Sequence, residues 1–114
     1  MFRQSLTISM AKLLHLTFHH PNATSAAAQA AAWERAHAIA QWPGLVWKLW
    51  IADPDQTRYG GVYLFADEAS AHGYLNGPIV AGIRDLPGVS DFTAQLFDIN
   101  APLSALTRGP LPPT

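Results

Sequence analysis

The 114-residue chain contains no cysteine. That excludes disulfides, thiolate catalysis and sulfur-ligated structural zinc, and it suits a reducing compartment. Charge is sparse too: seven basic and eight acidic side chains leave a formal net charge of −1. Without a field of one sign to hold a phosphate backbone or an anionic lipid surface, neither nucleic acid nor a membrane is an expected partner. The first ten residues carry only Arg3 as a charge, and Gln4, Ser5, Thr7 and Ser9 interrupt their apolar positions before Lys12. No targeting segment and no membrane span is read there, and a cytoplasmic location is the expectation. Several chemical signatures are missing as well. There is no G-x-S-x-G elbow for serine chemistry, and no Walker or G-x-G-x-x-G loop for phosphate, so Gly60-Gly61 reads as a bulge or a close backbone approach. No carboxylate pair has acid/base spacing: Asp53 and Asp55 suit a turn, Asp67 a helix cap and Glu68 a first helical turn.

What is present is an alternating pattern of strands and helices in one small domain. Lys12 to Phe18 alternates Leu14, Leu16 and Phe18 with Leu13, His15 and Thr17. After a turn at His19 to Asn22, Thr24 or Ser25 can cap an alanine-rich helix reaching about Gln41. Its apolar arc at helical spacing holds Ala28, Ala32, Trp33, Ala36, Ile39 and Ala40, and Pro43-Gly44 stops it. A second strand spans GLVWKLWIA, with Leu45, Trp47, Leu49 and Ile51 opposite Val46, Lys48 and Trp50. The turn at Asp53-Pro54-Asp55 makes an antiparallel hairpin with a third strand from about Tyr59 to Phe65. Asp67 caps the next helix, which breaks near Asn76-Gly77-Pro78 and resumes from Ile79 to about Asp85. The fourth strand runs from Val89 to Ile99. Beyond Asn100, four prolines and a glycine among fourteen residues argue for a tail or arm outside the packed structure.

This order predicts an α+β, ferredoxin-like β-α-β-β-α-β unit: a four-stranded antiparallel sheet with both helices on one face. The second face then lacks a cover, and the second strand places either Trp47 or Trp50 on it. A two-fold dimer that pairs two such faces solves the exposure, so a homodimer is the expected state.

Three stretches, PGLVWKLW, GGVYLFADEASA and FDINAPLS, resemble the YdhR-type monooxygenase family, of the dimeric α+β barrel group, over roughly Leu13 to Leu106. The resemblance implies that two ferredoxin-like units lay their sheets together while each keeps a pocket between sheet and helices. It implies domain bounds of 11–106, an extension at 1–10 with Met10 as a candidate start, and a Pro-rich tail at 107–114. It also implies oxygenase chemistry without a cofactor on a small aromatic or polyketide-like compound, with dioxygen as co-substrate. The alternative is a non-catalytic, small-ligand-binding or stress-related dimer of the same fold.

Candidate catalytic residues are Tyr63, Trp47 and His37, with Trp50, Trp33, Phe65 and His15 as substrate contacts. The Trp47, Trp50 and Tyr63 rings read either as core and interface aromatics or as a flat apolar pocket in which the Tyr63 phenol orients substrate. Lys48, opposite Trp47 and beside Trp50, reads as an interface or rim cation. His37 lies at the edge of the helical arc, reading as a surface residue or a group at a pocket mouth. No metal site is expected, since four strand residues separate His15 from His19 by roughly 13 Å, and His19 and His20 point to opposite sides.

Overall fold

A computed structural model of the chain describes residues 10–55 and 57–112. Eight elements follow in order: β1 (Lys12–His19), α1 (Ala26–Ala40), β2 (Leu45–Ala52), β3 (Arg58–Phe65), α2 (Glu68–Leu75), α3 (Pro78–Arg84), β4 (Ser90–Asp98) and α4 (Ala101–Leu106). The strands form one sheet in the order β2-β3-β1-β4, each neighbour antiparallel. The fold is the ferredoxin-like α+β arrangement, and its first three helices pack on one face of the sheet.

Local chemistry sets the helix ends. The Ser25 hydroxyl accepts from the Ala28 amide at 3.1 Å to start α1, and the Asp67 carboxylate accepts from the Ser70 amide at 2.7 Å to start α2. Pro78 ends the α2 run and opens α3 in the first turn, where its missing N–H costs nothing. The main core lies between sheet and helices: Leu14, Leu16 and Phe18 of β1 and Tyr63 and Phe65 of β3 meet Ile39, Ala71, Tyr74, Val80 and Ile83.

Three sequence expectations differ from the structure. In β2 the ladder with β3 slips by one residue between Leu45 and Trp47, leaving Val46 as a bulge. Leu45 therefore packs into the helix-side core while Trp47 joins the opposite face, and Lys48 and Trp50 turn toward the helices. Trp33 does not share the buried arc of α1: it is 72% exposed, and the inward stripe runs through Ala28, Ala32, Arg35 and Ile39 at alternating spacings of four and three.

The third difference is the C-terminal segment, which is packed. Asn100 caps α4 by accepting from the Leu103 amide at 3.1 Å, with Pro102 in the tolerated first turn. The chain then crosses the open sheet face, where the Pro110 carbonyl accepts from Trp47 Nε1 at 2.9 Å. Leu111 packs there with Leu64, Ala11 and Ile99 in a second, smaller cluster. Proline removes ladder donors, yet its fixed φ also lowers the entropy lost on ordering, so proline-rich chain can dock without forming a strand.

Candidate functional site

A cavity of about 720 Å³ lies between α1 and the β2–β3–β1 half of the sheet. Its origin is the alanine content of the helix. Ala23, Ala27, Ala28, Ala31 and Ala32 line one wall, and methyl groups cannot fill the space that Tyr74, Val80 and Ile83 fill beneath α2 and α3. Phe18, Trp50, Ile51, Tyr59 and Tyr63 form the sheet side, and His20, Arg35 and Lys48 are the basic groups among the described residues that line it. A second concavity of about 750 Å³, between α2–α3 and β4, is an open groove whose Arg84 and Asp85 are solvent-exposed. The α1 cavity has the apolar walls and convergent polar groups of a ligand site.

Lys48 reaches the cavity because β3 has no side chain in its path. A Cβ on Gly61, which pairs with Trp50 across the ladder, would fall 2.5 Å from Lys48 Cε. The amine lies 3.3 Å from the Trp50 ring centroid and 4.6 Å from that of Tyr63. Burial first, and the Arg35 charge second, lower its pKa to about 7. The two ring faces favour the ammonium form and temper that lowering. Lys48 is thus an amine poised to exchange a proton near neutrality.

Beside it, the Tyr63 and Tyr74 hydroxyls share a hydrogen bond of 2.9 Å. Burial pushes both phenols up, reinforced at Tyr63 by Tyr74, so both stay protonated at neutral pH. His20 is buried at the other end of β1, and burial, then the charges of Arg35 and His19, lower its pKa and keep its ring neutral. Its Nδ1 has no hydrogen-bond partner among the described residues, nor does Nε of Arg35. Burial also lowers the Arg35 guanidinium.

The residues singled out in the sequence fall into three places. Tyr63 and Trp50 line the cavity, and Phe65 stacks behind Tyr63 at 5.9 Å between ring centroids. Trp47 and His15 lie on the opposite face of the sheet, Trp47 under the C-terminal arm and His15 exposed. Trp33 and His37 are exposed on α1. Lys48 in the cavity, Arg35 and His20 complete the site. The signals for them were a lone basic residue on the inward stripe of an alanine helix and a lysine between two tryptophans.

The fold and cavity together define a ferredoxin-like α+β domain with a ligand-sized chamber under its first helix. The chain belongs to the family described as "Putative mono-oxygenase ydhR", whose model matches residues 13–110. None of the curated proteins compared with the chain matches it. Among solved structures it is similar to a "putative antibiotic biosynthesis monooxygenase" from Deinococcus radiodurans, at 17% identity and a TM-score of 0.62, covering 77% of this chain and 91% of that one. It is similar to a mutant of SnoaB, a cofactor-independent oxygenase from Streptomyces nogalater, at 18% identity and a TM-score of 0.59, covering 78% and 92%. It is also similar to the heme-degrader MhuD from Mycobacterium tuberculosis, solved with two hemes bound in its active site, at 17% identity and a TM-score of 0.56, covering 77% and 94%. At these identities the likeness shows the fold.

Proposed function

We propose that the chain is a cofactor-independent monooxygenase that oxidises a small aromatic or polyketide-like compound with dioxygen. The observation that carries this is the Lys48 amine, held near neutrality in an apolar chamber beside Arg35. A neutral Lys48 takes a proton from an acidic C–H or phenolic O–H of the substrate, and the Arg35 cation stabilises the resulting anion. The anion is the reductant. It passes one electron to dioxygen, and the radical pair combines into a peroxide on the substrate carbon. The Lys48 ammonium protonates that peroxide. The freed amine then takes the carbon's second hydrogen as a proton while the C–H electron pair forms the carbonyl and the O–O bond breaks. The departing hydroxide collects this proton from Lys48. A methylene becomes a carbonyl, one oxygen atom enters the product and the other leaves as water. Tyr63 faces the Lys48 amine with its ring and stays neutral through burial, reinforced by its tie to Tyr74.

Purified protein incubated with anthrone- or quinol-type substrates under ¹⁸O₂ is expected to give one labelled oxygen per product. Saturable binding with no oxygen uptake across that panel would make the chain a binding protein instead.

The same reading includes a homodimer. On the open sheet face Leu49 is 58% and Phe97 41% exposed, and the C-terminal arm covers the Trp47 end. A second copy laid on this face would bury both. In sedimentation at micromolar concentration the protein is expected to run as a dimer, and Leu49→Glu as a monomer, because a carboxylate there would be desolvated without a partner. A monomeric wild type removes the dimer.

A further inference from the structure

The chamber contains cations and no counter-charge. None of the described residues lining it is an aspartate or a glutamate, while Arg35, Lys48 and His20 all face into it. The ion pairs recorded among the described residues involve Lys12 with Asp98 and Glu68, and His72 with Glu68, and none reaches Arg35 or Lys48. Arg35 lines the same chamber as Lys48 and His20, and its charge lowers the pKa of both. Leaving a buried guanidinium nitrogen unbonded is unfavourable, as is leaving a buried imidazole nitrogen unbonded. Here both occur in one chamber: Nε of Arg35 and Nδ1 of His20 are buried and unpartnered, and His20 is only 8% exposed. A free fold that carries such groups is complementary to what will bond them.

The geometry points to a planar aromatic acid as the ligand of this chamber. Its rings rest against the alanine wall of α1 and the Trp50–Tyr59 side of the sheet, and its carboxylate is held by Arg35 and the His20 imidazole. The assignment rests on the reading of the chamber as the substrate site. A carboxylate fits better than a phosphate for two reasons. The walls are mostly apolar and lack a glycine-rich loop, and a single negative charge balances Arg35 while leaving Lys48 free as a neutral base, whereas a dianion would draw Lys48 into its protonated form.

The test is isothermal titration calorimetry under anaerobic conditions at about pH 8, where Lys48 is largely neutral. The probes are 1-hydroxy-2-naphthoate, its neutral methyl ester and 1-naphthyl phosphate. The carboxylate is expected to bind on the order of tenfold or more tightly than the ester, the range of one charge-assisted hydrogen bond. It is also expected to outbind the phosphate. Arg35→Gln should bring the carboxylate down to the affinity of the ester and leave the ester unchanged. Equal affinity of acid and ester in the wild type, a tighter phosphate, or a preference that survives Arg35→Gln would each overturn the assignment, as would no binding by any probe. The wild-type comparison needs no variant to fold. A strong carboxylate preference without ¹⁸O incorporation removes the oxygenase reading alone, and turnover with equal affinities removes the anion assignment alone.

Discussion

Replacing Lys48 by methionine is expected to abolish oxygen-dependent turnover and at the same time to raise thermal stability. Methionine keeps the length and apolar stem of the side chain but removes the amine whose pKa burial lowers to about 7. Loss of a general base costs typically 10²–10⁴-fold, so kcat should fall by about that factor. Stability should move the other way. The amine is buried beside Arg35, with the Trp50 and Tyr63 rings against it, and no ion pair with a carboxylate is found for it among the described residues. Exchanging an unpaired buried charge for an apolar side chain of similar volume is worth on the order of 1–3 kcal/mol.

Both effects carry a pH signature of known sign. The native amine titrates at about 7, against about 10.4 for a lysine in an unfolded chain. Turnover by the wild type should therefore rise as pH increases through 7, while the amine loses its proton, and then level off. Between the two values the unfolded state binds more protons, so the wild type gains stability as pH rises across that window. Below pH 7 both states are protonated and the penalty is constant. The advantage of Lys48→Met in melting temperature should then be largest below pH 7 and shrink toward pH 10. A variant that keeps activity, or whose advantage grows with pH, would remove Lys48 from the mechanism.

The second large effect is expected at Gly60. A Cβ at this position would run into the carbonyl oxygen of Leu16 and approach Thr17 Cα at 2.8 Å, both backbone atoms of the adjacent central strand. Backbone in the middle of a sheet cannot yield as a side-chain tip can. Gly60→Ala is expected to cost about 4 kcal/mol or more in urea unfolding, beyond ordinary overpacking. Gly82, exposed on α3, is the internal control: an added Cβ there meets nothing within 4 Å. Gly82→Ala should stabilise by roughly 0.5–1 kcal/mol through helix propensity alone. A well-folded Gly60→Ala would mean that β1 and β3 are less closely apposed than described.

Much of the fold was legible because its signals are local. The alternation of Leu14, Leu16 and Phe18, the caps at Ser25 and Asp67 and the stop at Gly77-Pro78 each follow from a few neighbouring residues, and each matches an element boundary within about two residues. The candidate site was less legible, because tertiary relations assemble it. Tyr63 and Trp50 could be picked out by size and motif. Arg35 could not, since a single cation on an alanine helix reads as a solvated residue until the helix has a direction. His20 follows a strand and precedes a proline, which reads as a turn, yet it lines the chamber together with α1 and the chain at Leu86 and Pro87. The packing of the C-terminal arm was hidden for a different reason. Proline content reports what backbone ladder a segment cannot make, and is silent on a carbonyl at Pro110 that receives an indole N–H.

The extra residue at Val46 bears on more than the shape of a strand. Had the ladder run unbroken from Leu45, Trp47 would fill the chamber and Lys48 would stand in water. The parity of one edge strand thus decides whether the interior holds an indole or an amine. A scaffold of this kind can gain or shed a reactive group by changing a residue count in β2, with every side chain involved left as it was.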